Sequence, residues 1–310
     1  MKYRNFKRIN KEISILGFGG WQLGNSEFWG DMSYESGVAL VKEAVSKGIN
    51  FFDTAPGYSQ GLSEKIIGES IKGFRDKVFI NTKFGHNADG TSDFSVSSIE
   101  KAIESSCERL QTDYIDSVIL HNPEMYILEG KTEHFVELDR LKRQGKIKSY
   151  GVSVDSLNEL TTIIKNIEVD VIEVMFNIMH QEVIEVFEEI EKRGILLIIK
   201  VPLDSGWLTG KYDNLSEFKG IRDRWNSETK KVRSNIIKEI KSIVKEEDLV
   251  KFALSFILSF SAVTTVIPGV KNSKQLLSNL ESVEYELSID IKQKLIDLYN
   301  NVIKNQNIPW

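Results

Sequence analysis

The chain has 310 residues, of which 41% are hydrophobic and 10% aromatic, enough to bury a sizeable core and too much for a mainly disordered polymer. Forty Lys+Arg against 45 Asp+Glu give a formal net charge of −5, so there is no basic surplus to collect on a phosphate backbone and nucleic acid is not an expected partner. The single cysteine, Cys107, excludes an intramolecular disulfide and a cysteine-based metal cluster. Residues 1–16, MKYRNFKRINKEISIL, carry positive charge without the apolar stretch of a secretory signal. The uncharged run 252–270 is interrupted by serines, threonines and Pro268, and reads as a buried helix followed by a strand rather than a membrane span. A cytoplasmic protein with no membrane partner is the expectation.

In chain order, residues 2–15 read as a small hairpin turning near Asn10-Lys11. A recurring unit then begins: a short apolar run, a loop, and an amphipathic stretch that stops near Gly or a basic residue. Strands are predicted at 15–19, 49–53 (INFFD), 78–83 (VFINTK), 115–121 (IDSVILH), 147–153, 171–177, 195–200 and 263–267. Helices are predicted at 34–47, 63–71, 97–110, 133–144, 157–167 and 182–193, then in two stretches after a long charged excursion, and at 273–280. A closing helix is expected at 289–303. No Pro/Ser-rich linker divides these units, which favours one domain over residues 1–310. Eight alternating strand–helix units imply parallel pairing and an α/β fold, a single (β/α)8 TIM barrel with an N-terminal hairpin plugging one end and extra C-terminal helices. A doubly wound open sheet is the alternative, but Leu16-Gly17-Phe18-Gly19-Gly20-Trp21 lacks the G-x-G-x-x-G that such a sheet wants after its first strand.

Polar residues stand at the ends of these apolar strands. Asp53, Lys83, His121, Ser153, Asn177 and Lys200 each come last in their run, and in a barrel such positions gather at the carboxyl-terminal mouth. A charge after an apolar run must be paired, exposed or functional, because desolvating a lone charge is costly. An Asp53–Lys83 pair from neighbouring strands, His121 one strand further, and Tyr58 folded back by the Pro56-Gly57 turn would face one cavity. Each has a plain structural alternative: a salt bridge, a hydrogen-bonded histidine, a packed tyrosine. Together they suit the delivery of a proton to a carbonyl oxygen. A tyrosine is ordinarily too weak an acid near neutrality, an adjacent ammonium pulls its pKa down, and a carboxylate holds that ammonium in place. Metal catalysis finds less support, since the four histidines show no H-x-H or H-E-x-x-H spacing. No Gly-rich Walker loop is present.

Nearly the whole chain resembles the aldo-keto reductases. The segment NFFDTAPGYSQGLSEKIIG (50–68) is similar to that family's Asp/Tyr signature, Thr82-Lys83-Phe84 to its lysine strand, and Leu120-His121-Asn122-Pro123 to its histidine strand. The resemblance implies a catalytic tetrad of Asp53, Tyr58, Lys83 and His121, with Tyr58 as general acid and an NADPH hydride passing to an aldehyde or ketone. It implies further that Gly20-Trp21 lies beneath the nicotinamide. PLDSGWLTGKY (202–212) would form a loop over the pyrophosphate, with Leu203, Gly206 and Lys211 in contact. IPGVKNSKQLLSN (267–279) would surround the adenosine 2′-phosphate, with Gly269 in the turn, Lys271 on the phosphate, and Gln275 and Asn279 on the adenine. Backbone N–H groups opening a helix beside an ammonium form a sensible anion site. Arg222 would clamp the cofactor from above. Three positions depart from the pattern: Ser153 is followed by Val154 rather than an amide residue, Glu173 replaces a glutamine that would meet the carboxamide, and Lys200 replaces an aromatic. An ionised Glu173 accepts from a carboxamide NH2 but cannot donate, and Lys200 would reach a cofactor phosphate or compensate Glu173.

The competing reading is a nucleotide-sensing regulatory subunit, as in the potassium-channel β-subunits that resemble this family. Those usually carry Asn where this chain has His121, which favours an enzyme. Trp21, Phe28, Trp29, Phe84 and Trp225 are candidates for an apolar substrate pocket, with core packing the alternative for Phe28 and Phe84. No arginine pair for a carboxylate substrate stands out, and oligomeric state is left open.

Overall fold

The structure is a computed structural model that describes residues 1–25, 30, 32–220 and 223–309. Strands β1 (Tyr3–Phe6) and β2 (Lys11–Ser14) pair antiparallel, with Tyr3 opposite Ser14 and Phe6 opposite Lys11. The turn between them uses Asn10 in the left-handed region (φ 49°). Eight parallel strands follow in sequential order: β3 (Phe18–Gly19), β4 (Phe51–Asp53), β5 (Phe79–Phe84), β6 (Ile115–His121), β7 (Ile147–Val154), β8 (Val171–Met175), β9 (Leu196–Lys200) and β10 (Thr265–Val266). The sheet closes on itself. Gly17 N–H donates to the Val266 carbonyl at 2.8 Å, Val266 N–H to Ile15 at 3.0 Å and Gly19 N–H to Pro268 at 3.3 Å, with parallel bridges joining Leu16 to Val266 and Gly19 to Gly269. The fold is therefore the predicted (β/α)8 barrel.

β3 and β10 are two residues each, shorter than the apolar runs that predicted them, because at this seam the pairing survives only as isolated bridges. The seam is tight: a Cβ on Gly19 would stand 2.9 Å from the Ile267 carbonyl oxygen, so only glycine lets these backbones approach.

The helices start and stop where local chemistry dictates. Ser33 accepts from Ser36 N–H to cap helix Tyr34–Ser46. Ser156 and Glu159 form a reciprocal capping box on helix Leu157–Asn166. Gly145 (φ 79°) and Gly194 (φ 64°) follow the ends of their helices in the left-handed conformation. The helix predicted at 182–193 is instead a 3-10 turn, Glu182–Val186, running into the α-helix Phe187–Lys192. The long excursion ends in helix Ser227–Val244, which buries Arg233, Ile236, Ile237 and Ile240. Helix Val250–Leu258 then leads into β10, and helix Ile289–Asn301 closes the chain. No helix among the described residues is long and apolar enough to cross a membrane.

The interior has two parts. A continuous apolar layer lies between strands and helices. A smaller cluster fills the inside of the barrel: Phe6 and Ile13 of the hairpin pack with Phe51, Phe79, Ile119 and Leu196 of the strands. Phe51 and Phe79 stack at 5.3 Å between ring centroids, and Phe79 meets Phe6 edge-on at 6.2 Å. The hairpin thus seals the amino-terminal end, as its position in the sequence suggested, and the polar strand ends lie at the other.

Candidate active site

β4 and β5 place Asp53 beside Asn81, and Lys83 two residues further along its strand points to the same face. Lys83 Nζ donates to both carboxylate oxygens of Asp53 at 2.6 and 2.7 Å and to the Thr54 carbonyl at 3.2 Å. Asn81 Nδ2 donates to Asp53 Oδ2 at 2.8 Å. Both charged groups are 2% exposed. Burial pulls the Lys83 pKa down, but Asp53 and Glu173 outweigh it and hold the ammonium above its ordinary pKa. Asp53 itself is pushed up to about 8, first by burial and then by the Glu173 charge, against the pull of Lys83.

Tyr58 reaches this pair because the chain turns sharply after Pro56. Its N–H donates to the Ala55 carbonyl at 3.1 Å, and Ser59 and Gln60 both adopt positive φ (51° and 55°). Ser59 Oγ ties the turn to the Leu23 carbonyl at 2.9 Å. Lys83 Nζ stands 5.1 Å from the Tyr58 ring centre, and His121 meets that ring edge-on at 6.1 Å. The predicted four residues are therefore brought together. The expected acidification of the phenol is not. Desolvation raises the Tyr58 pKa, Lys83 pulls it down, and Asp53 and Glu173 raise it again, leaving it above the ordinary value. Spacing located the cation correctly but could not weigh it against burial.

His121 is held neutral. Burial first, then the positive charges of Lys83 and Lys200, drive its pKa well below 6.5. Its Nδ1 is buried with no hydrogen-bond partner among the described residues, and the His86 ring lies against it at 5.0 Å.

Next round the barrel the departures from the family pattern form one connected chain. Ser153 Oγ donates to Glu173 Oε1 at 3.0 Å and accepts from Lys200 Nζ at 2.8 Å. The hydroxyl proton of Ser153 is thereby committed, so it can accept from a ligand but not donate. Lys200 does not pair directly with Glu173: its ion pair is with Asp155 at 2.7 Å, and it also donates to Asn122 Oδ1 at 3.1 Å. Glu173 Oε2 lies 3.4 Å from Lys83 Nζ. Burial would raise Glu173, yet Lys83 and Lys200 hold its carboxyl below the usual range.

Asp53, Tyr58, His121, Glu173 and Lys200 line one end of a cavity of about 800 Å³, and Trp21, Leu203, Gly206, Lys211 and Gly269 continue its wall. Gly20 and Ser153 lie behind that wall; the Gly20 carbonyl accepts from Ser63 Oγ at 2.8 Å. Beneath Leu203 the turn Asp204–Thr209 takes positive φ at Asp204, Ser205 and Gly206, with buried Asp204 ion-paired to Arg233. At the far end, Asn272 caps helix Ser273–Ser282 by accepting from Gln275 N–H at 2.9 Å, and Lys271, Gln275 and Asn279 face the cavity. Gln275 Oε1 already accepts from Lys271 N–H at 3.1 Å, which leaves its NH2 for a ligand.

Sequence reasoning passed over Gln22, Asn122, Asp155 and Lys274, all on the cavity wall. Asp155 carried a visible signal, directly after the apolar end of β7; Lys274 stood three residues from the chosen Lys271. Two aromatic candidates prove to be core. Phe84 is 2% exposed against Phe94. Trp225 is 4% exposed and packs on Trp207 and Phe218. Arg222, Phe28 and Trp29 lie outside the described residues.

The sequence profile of the Aldo/keto reductase family matches residues 15–299. The chain is 28% identical to L-galactose dehydrogenase of Arabidopsis thaliana over 96% of its own length and 93% of that protein. It is also 28% identical to the NADH-specific methylglyoxal reductase of Escherichia coli, over 89% of this chain and 91% of the other. Among solved structures, aldo-keto reductase AKR11C1 from Bacillus halodurans in its holo form superposes with a TM-score of 0.83 at 27% identity, covering 100% of both chains.

Proposed function

The chain belongs to the aldo/keto reductase family, and from that membership we propose that it works as one barrel domain catalysing reversible hydride transfer between NADP(H) and a small aldehyde or ketone. The observation that carries this reading is the convergence of Tyr58, His121 and the Asp53–Lys83 pair on one end of a cavity whose other end holds Lys271 and Lys274 beside a helix N-terminus. The residues fit a dinucleotide: two ammoniums and the N–H groups of helix Ser273–Ser282 suit a 2′-phosphate. Glu173 Oε2, buried without a hydrogen-bond partner among the described residues, suits a carboxamide donor. Gly206 (φ 100°) supports close backbone approach to a pyrophosphate.

When bound, the dinucleotide supplies the hydride. Tyr58 gives its phenolic proton to the carbonyl oxygen as that oxygen gains charge. Lys83 stabilises the phenolate left behind, and Asp53 keeps the ammonium aimed. Neutral His121 contributes a ring N–H toward the same oxygen. A phenol whose pKa is raised stays fully protonated at neutral pH, so the proton is always present, and the nearby ammonium supplies the driving force once it leaves. The relatives named above are a dehydrogenase and a reductase, which supports catalysis over sensing. One of them is named NADH-specific, so cofactor choice is tested directly with both dinucleotides.

The deciding experiment compares Tyr58→Phe with the native chain on an aldehyde panel. Turnover falls by about 10²–10⁴ while dinucleotide binding, read by fluorescence, persists. Unchanged turnover refutes the assignment.

A further inference from the structure

We infer that Glu173 sets this protein's preference between the two redox forms of its dinucleotide, making the site bind the oxidised, cationic nicotinamide more tightly than the reduced, neutral one. The inference rests on the reading of the cavity given above and deepens it. It starts from the local charge. Lys83 serves two carboxylates at once, Asp53 at 2.6 Å and Glu173 at 3.4 Å. Lys200 is already matched by Asp155 at 2.7 Å, and His121 is neutral. This end of the cavity therefore carries one negative charge more than its own cations balance, and Glu173 is its source.

Position matters as much as charge. Glu173 is 2% exposed, lines the cavity, and has an Oε2 that accepts no hydrogen bond among the described residues. A buried carboxylate oxygen at a cavity wall, with only a shared ammonium at 3.4 Å to balance it, attracts a further donor or cation. The groups that act on it are Asp53 and Lys83 from β4 and β5, Tyr58 from the turn, Ser153 from β7 and Lys200 from β9. Burial and the Glu173 charge push Asp53 up to about 8, a sign of the same crowding of negative charge. An oxidised nicotinamide would bring a positive charge that offsets it. A reduced nicotinamide would not.

Tighter binding of the oxidised form pulls the hydride-transfer equilibrium on the protein toward the alcohol and slows release of the spent cofactor. In carbonyl reduction, oxidised dinucleotide is then a strong product inhibitor.

The test is a titration. Dissociation constants for oxidised and reduced dinucleotide are measured on the native chain and on Glu173→Gln. The ratio of reduced to oxidised constant should fall by about tenfold or more in the variant, the scale for one unit charge at contact range in a partly dry site. A change smaller than threefold overturns the inference while leaving the proposed function standing; failure of either form to bind the native chain overturns both. Lys200→Gln removes a cation from the same end and should move the ratio the opposite way, so the idea is tested even if Glu173→Gln fails to fold.

Discussion

Replacing Lys83 by methionine separates what the buried ion pair does for folding from what it does for chemistry. Lys83 is 2% exposed and holds Asp53 through two short hydrogen bonds, with Glu173 as a second carboxylate. Removing one partner of a buried pair costs ~3–5 kcal/mol of stability, because the remaining charge is stranded. The chemical cost is separate. A unit charge held 5.1 Å from the Tyr58 ring contributes ~3 kcal/mol at an effective dielectric of about 20, and its loss slows proton delivery by about two orders of magnitude. Lys83→Met should therefore melt at lower urea and turn over an aldehyde about a hundredfold more slowly. Lys83→Met/Asp53→Asn removes one of the two carboxylates that Lys83 served, with Glu173 left in place, and should recover part of the stability without recovering turnover. If the double variant regains activity along with its fold, Lys83 acts as scaffolding and the account of Tyr58 is wrong.

The His121 environment makes a pH prediction. Its pKa lies well below 6.5, so the ring stays neutral as pH falls through that value, and the profile of kcat/KM against pH shows no acid limb centred there. A limb near 6.5 that disappears in His121→Asn would show the ring titrating normally. The same shift has a stability sign. Between the folded and unfolded pKa values the unfolded chain binds more protons, so this residue favours unfolding as pH drops below about 6.5. At the other end of the cavity, Lys271→Met should weaken NADPH by about tenfold or more, the scale of a charge-assisted hydrogen bond, and leave NADH within about threefold. Equal weakening of both cofactors would place the lysine away from the 2′-phosphate.

The fold was legible in the sequence because barrel strands are short, apolar and flanked by helices of a different period. β6 begins and ends where the IDSVILH run does, and the hairpin that plugs the barrel showed as an orphan before the repeat. The seam strands were overestimated because apolar residues there are buried without forming a ladder: Leu16 pairs with Val266 only as a lone bridge. The site was legible wherever a polar residue ended an apolar run, which exposed Asp53, Lys83, His121 and Lys200. What could not be read was which charges find each other. Lys200 reaches Glu173 through the Ser153 hydroxyl and spends its charge on Asp155, a geometry set by strand register. The pKa of Tyr58 escaped for a related reason: sequence shows a neighbouring cation but not how much water is lost around the phenol.

The wedge of Phe6 and Ile13 driven into the bottom of the barrel, against Phe51, Phe79 and Leu196, also governs traffic. With that end stoppered by hydrocarbon, a ligand of the proposed kind would come and go at the opposite, polar end of the barrel, on the side where Tyr58 and Lys200 line the cavity.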